Sequence, residues 1–223
     1  MKNNIYTIIL GNNQNLLFGS SNDSILIYNI FYRFYLNTNY WKKPLLFINK
    51  DVTILNILNK IKTINTFSTI IIYFSGHSSK IGKLNFFNKL YSSSEILKKI
   101  DSLNNIKKHI FFIIDSCYSE LNINTFKYKN IILTTYIVSS KKNQTSKEIL
   151  IKYDFNMFKY KNLALSNITN NKIVISIFTY YFYKILNGKN LNNLNDWKIN
   201  LVNNILWNII EKKYNQKIYY VQN

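Results

Sequence analysis

The chain alternates short, continuous apolar runs with stretches whose apolar positions recur at helical spacing. Ile5-Tyr-Thr-Ile-Ile-Leu10 is β-branched and closes at Gly11, which reads as a buried strand. Asn22 or Asp23 then predicts a helix N-cap, with the helix running to about Leu36 and Ile25, Tyr28, Ile30, Phe31 and Phe34 on its apolar face. Pro44 to Ile48 reads as a second strand. Asp51 or Thr53 caps the next helix, which buries Ile54, Ile57, Leu58 and Ile61. Thr69–Phe74 and His109–Ile114 are apolar at nearly every position, as expected for strands covered on both faces. Between them, Ser92-x-x-Glu95 is a capping-box pattern that opens a helix to about Leu103. A fifth strand is expected over Asn130–Thr135, then a polar loop over Ser139–Lys147. Helices near 173–187 and 194–213 and an edge strand over Lys217–Val221 complete the pattern.

The resulting order, β-α-β-α-β-α-β-β-α-α-β, predicts an α/β fold, a three-layer α/β/α sandwich around a mostly parallel sheet. No linker or repeat divides residues 1–223, so one domain is expected. Hydrophobic residues make up 47% of the chain, enough for a sizeable core, which excludes a disordered tail. The apolar run at the N-terminus is too short for a signal peptide. The run Ile173–Tyr183 is too short to span a membrane, and the single cysteine allows no internal disulfide. A soluble, cytoplasmic monomer without a membrane partner is the expectation, in the host cytoplasm if the source is viral.

The formal charge of +19 invites a nucleic-acid reading. However, Arg33 is the only arginine, Ala164 the only alanine and Pro44 the only proline, while Asn, Ile, Lys, Tyr and Phe dominate. Those residues have A/T-rich codons, so mutational bias produces this composition without selection for a basic surface. The lysines are scattered rather than blocked, and no nucleic-acid motif accompanies them. Their excess still favours acidic partners through salt-sensitive attraction.

The chemistry concentrates at strand ends. In an open parallel sheet, ligands bind beyond the carboxyl ends of the strands. His77 follows the third strand in Phe74-Ser-Gly-His77, and Cys117 follows the fourth in Ile114-Asp-Ser-Cys117. Neighbouring strands lie ~4.8 Å apart, so the two side chains can share one cleft. An imidazole there can take the proton of a thiol and return it to a leaving amine. The backbone amides of Ser78 and Cys117 are the candidate oxyanion donors. The bland alternatives are a buried, inert cysteine and a hydrogen-bonding histidine. His109 starts a strand at the opposite end and reads as structural.

Tyr73-Phe-Ser-Gly-His77 and Asp115-Ser-Cys117, with Ser119 following, resemble the histidine and cysteine motifs of the caspase-like peptidases, the metacaspases in particular, and their separation of 40 positions suits that family. Fainter similarities follow in order: Leu17-Phe-Gly-Ser-Ser-Asn-Asp23, Thr53-x-x-Asn56-Ile57, Asn143-Gln-Thr-Ser-Lys-Glu148 and Phe178-Thr179. The resemblance implies a bare caspase-fold domain with no prodomain. It also implies a cysteine endopeptidase acting through a thioester acyl-enzyme, with an acidic S1 pocket for Lys or Arg at Asp23, Ser75 and Asp115. A carboxylate in a cleft is costly unless a cation pairs with it, which gives Asp115 a physical rationale of its own. Structural roles stand beside these: accepting backbone N–H bonds in the turn for Asp115, and capping a helix for Asp23.

The chain also departs from the family. Ser78 replaces a glycine, and Tyr118-Ser-Glu120 replaces His-Ser-Gly. Many metacaspases need calcium. The matching stretches here carry Ser92-Ser-Ser-Glu95, Asn122 and Asn124 rather than aspartates, so no metal or other cofactor is expected. A caspase-like protein that only binds partners is the alternative these departures motivate.

Overall fold

The computed structural model describes residues 4–13, 19–87, 89–160, 171–187 and 206–223. Its core is a six-stranded sheet of β1 (Asn4–Asn12), β2 (Leu45–Ile48), β3 (Ser68–Gly76), β6 (Lys108–Asp115), β7 (Ile131–Val138) and β10 (Tyr219–Gln222). The spatial order is β10-β7-β6-β3-β1-β2, with every pairing parallel except that of β10 with β7. The chain moves from β1 out to β2 and then returns to place β3 on the other side of β1. The strand order therefore reverses at the β1–β3 crevice.

The apolar runs are continuous because both sheet faces are covered. Ile70, Ile72 and Phe74 face one layer, where they join Ile57 and Ile61 of α2 (Ile54–Lys62) and Ile96, Leu97 and Ile100 of α3 (Ser93–Asp101). Ile71 and Tyr73 face the other, with Phe31 and Phe34 of α1 (Gly19–Asn37) and Phe178 and Phe182 of α4 (Ile177–Leu186). Side chains that alternate between two buried faces leave no polar position in the strand. The second helix is capped by Thr53, which accepts from the Asn56 N–H at 3.2 Å. The Ser92–Glu95 capping box is formed at the start of α3.

Two expectations are corrected. Helix α1 begins at Gly19, so Asp23 lies inside it and is not its N-cap. Close approach explains how α1 packs. A Cβ on Gly11 would lie 2.5 Å from Ser24 Oγ and 2.8 Å from the Ser20 carbonyl, so only glycine lets this helix sit against the end of β1. The apolar run at 173 is not wholly helical. Lys172–Ser176 forms strand β9, antiparallel to β8 (Glu148–Lys152), and only then does Ser176 cap α4. Of the helix expected at 194–213, α5 spans Leu206–Tyr214, and its earlier part lies outside the described residues. The sequence pattern also gave no sign of the hairpin of β4 (Leu84–Phe86) and β5 (Lys89–Tyr91), which follows His77. Among the described residues, no helix is long and apolar enough to cross a membrane.

Candidate active site

Strands β3 and β6 are adjacent and parallel, with Ser75 opposite Asp115 at the end of the shared register. His77 and Cys117 each follow two residues later, at the same end of the sheet. Both are partly buried rather than sealed in the core. A direct link joins their loops, in which Ser78 Oγ donates to the Cys117 carbonyl.

The histidine loop is built as a tight bridge. Asn85 N–H donates to the His77 carbonyl at 2.9 Å, and Ser79 N–H donates to the Lys83 carbonyl at 2.8 Å, with Ser78 opposite Leu84. In such a non-hydrogen-bonded antiparallel pair, the Ser78 N–H and C=O point away from the partner strand. Its amide therefore faces outward from the hairpin, as an oxyanion donor must. The turn below closes through Gly82 at φ 78°, whose carbonyl accepts from Asn122 Nδ2 at 2.6 Å. Ser78 itself has no positive φ, so the change from glycine at this position carries no backbone strain. The imidazole Nε2 is buried and has no hydrogen-bond partner among the described residues. It is thus engaged neither with the thiol nor with an orienting carboxylate. Catalytic hydrogen bonds often close only when substrate arrives.

The cysteine turn is held from the loop after β7. Tyr118, at φ 53°, donates its N–H to the Gln144 carbonyl at 2.8 Å. Ser116 N–H donates to Ser139 Oγ, and Ser119 N–H to Ser140 Oγ. A left-handed tyrosine is strained by ~1–2 kcal/mol, and this web of bonds holds it there. Burial pushes the Cys117 thiol pKa up, with the nearby Asp115 charge adding to that and the Ser146 and Cys117 backbone N–H groups opposing it. Burial thus favours the thiol over the thiolate, in line with the expectation that this cysteine needs a base. Its activation depends on a base.

The structure brings Asp23, Ser75 and Asp115 together. All three are buried, at 1%, 2% and 3% exposure. Asp23 accepts from Ser75 Oγ at 2.8 Å and from the Ser176 N–H at 2.8 Å. Asp115 accepts from Ser146 Oγ at 3.0 Å and Thr179 Oγ1 at 2.7 Å, which are side-chain donors rather than the backbone N–H groups of the structural alternative. Burial raises the pKa of both carboxyls, and for Asp23 the charge of Asp115 raises it further. Glu148 stands at the rim, accepting from the Gly19 N–H at 3.2 Å. These three acids come from only ten in the chain. Two carboxyls buried together, the charge of one raising the pKa of the other, are costly, and among the described residues no basic side chain pairs with either.

Ser146, Glu148 and Thr179 belong to segments that carried only the fainter similarities, and sequence gave none of them a role. Ser176, Ser139 and Ser140 were given no role, because a serine has no local signal that it will bond to a residue far along the chain. Asn122 and Asn124 spend their amides on Ser93, Gly82 and Tyr136. Among the described residues, no group of three His, Cys, Asp or Glu side chains could hold a metal ion. No protein-family model matches this chain, and no curated protein matches it significantly.

Proposed function

We propose that the protein is a cysteine endopeptidase that cleaves after Lys or Arg through a Cys117–His77 dyad on a caspase-like fold. The observation that carries this reading is the shared register. His77 and Cys117 follow a paired Ser75–Asp115 at the ends of neighbouring parallel strands, and Asp115 is buried together with Asp23.

The substrate cation enters toward Asp23 and Asp115, which fixes the scissile carbonyl near Cys117. The thiol sulfur forms a bond to the carbonyl carbon as His77 accepts the thiol proton. The oxyanion receives the N–H groups of Ser78 and Cys117. The C–N bond then breaks, His77 returns its proton to the departing amine, and a thioester remains. Water, deprotonated by the same imidazole, hydrolyses the thioester and regenerates the thiol. No metal takes part in these steps.

A library of peptides varied at P1 tests the reading. Cleavage after Lys and Arg is expected, and Cys117→Ala should abolish it. Cleavage that persists unchanged in Cys117→Ala would remove the assignment. A second reading, a partner-binding protein without catalysis, is favoured by the raised thiol pKa and the unpartnered imidazole. It requires that no peptide in the library be cut by the wild type.

A further inference from the structure

The acid site contains a hydroxyl whose direction is fixed by its neighbours. Thr179 opens α4 and is fully buried. Its Oγ1 lies 2.7 Å from Asp115 Oδ2 and 2.5 Å from the Tyr73 hydroxyl. A threonine hydroxyl has one proton. The carboxylate can only accept, so Thr179 gives that proton to Asp115, and Tyr73 must donate to Thr179. The chain of donors therefore runs one way, from Tyr73 through Thr179 to Asp115. Ser146 supplies the carboxylate's other oxygen from the loop that also holds the cysteine turn.

We propose that Thr179 is a positioning residue for cation recognition: by directing its only proton at Asp115 it keeps that carboxylate aimed and charged, and Tyr73 fixes the direction. The inference rests on the acid site proposed above. The groups around Asp115 make such help necessary. Burial disfavours the charged form of Asp115, and its charge in turn raises the pKa of Asp23 of α1, Cys117 and Glu148 of β8. Tyr73 of β3 is itself kept protonated, first by burial and then by the charges of Asp23 and Asp115, so it remains a donor across the working range. Against these stand hydroxyl donors: Ser176 at the end of β9, Thr179 of α4, Ser146, and Ser139.

The sign follows directly. A guanidinium binds the ionised carboxylate, so affinity falls as pH drops through the Asp115 pKa. Removing a donor to the carboxylate raises that pKa, and the loss then begins at higher pH.

Binding of butylguanidine, a ligand whose only charge is its guanidinium, is measured by calorimetry from pH 5 to 8 on the wild type, Thr179→Val, Thr179→Ser and Tyr73→Phe. Valine keeps the shape and removes the donor. About a tenfold loss at pH 7 is expected, the scale of one hydrogen bond to a charged group, with the acid limb displaced upward. Thr179→Ser should stay close to wild type. Tyr73→Phe, which leaves the Thr179 hydroxyl in place but free to turn, should shift the same way by less, and it keeps the test informative if the valine variant fails to fold. Unchanged affinity and acid limb in Thr179→Val, or in Tyr73→Phe if that variant alone folds, overturns the inference. So does a wild type that does not bind butylguanidine. Failure of the wild type to cut any peptide while butylguanidine binding follows the expected pattern would instead reject the peptidase reading and leave this one standing.

Discussion

At the scale of single residues, burying two carboxyls together costs stability. Asp23 is held neutral more readily in the folded protein than in the unfolded chain, chiefly by burial and then by Asp115. A carboxyl whose folded pKa lies above its unfolded value of 3.8 contributes most below that value, and the contribution is lost as pH rises toward the folded pKa. Asp23→Asn keeps an acceptor for the Ser176 N–H and offers a donor to Ser75. It is expected to raise the melting temperature at pH 7 and to bring no gain below about pH 4. Thermal melts across that range check it, and a variant less stable than wild type at pH 7 would contradict it. The same substitution should weaken guanidinium binding, so stability and recognition move in opposite directions. Tyr118 makes a second residue-scale test. At φ 53°, a β-branched side chain is poorly tolerated and asparagine well tolerated. Tyr118→Val should be less stable than Tyr118→Asn by about 1–2 kcal/mol in chemical denaturation.

At the scale of elements, the central strands and the first three helices were legible because their signals are local. A β-branched run with no polar position means a strand buried on both faces, and Thr53 and Ser92-x-x-Glu95 cap their helices as their sequence positions indicate. The failures were equally physical. Ile173–Tyr183 is apolar but for Ser176 and Thr179, so periodicity could not separate the strand Lys172–Ser176 from the helix that follows, and nothing local marked Ser176 as its cap. The start of α1 was misplaced because the residues of its first turns, Gly19 to Ser21, are poor helix formers. They are buried by packing against β1 and β9, which sequence alone does not display. The dyad was visible as two residues at strand ends. The hydroxyls that hold Asp115 were not, because they arrive from loops and helices far along the chain. Gly11→Ala probes the α1–β1 contact directly. With a backbone carbonyl 2.8 Å from the new carbon, the helix must shift, at a cost of about 1–3 kcal/mol. A melting temperature equal to wild type would show that the contact is looser than described.

At the scale of the whole molecule, a chain with 29 basic and 10 acidic side chains folds its few buried carboxylates toward one end of its sheet. The rest of the surface is self-repelling, and among the described residues one salt bridge, Lys83–Glu95 at 3.7 Å, offsets it. Stability should therefore rise with ionic strength, as salt screens lysine–lysine repulsion within a Debye length of about 8–10 Å. Melts in 20 mM and 500 mM sodium chloride measure this, and a lower melting temperature in high salt would contradict it. The acid site sits within this positive field, so on the proposed reading a basic substrate is guided by short-range pairing rather than by long-range attraction.

The most direct test of the account labels the nucleophile itself. A peptidyl acyloxymethyl ketone with arginine at P1 is incubated with the wild type and with His77→Ala, and modification is followed by intact mass and mapped by digestion. The account requires one adduct on Cys117, formed in the wild type at least about a hundredfold faster than in His77→Ala, the scale of general-base assistance. Equal rates in the two proteins, or no adduct on Cys117, would contradict it.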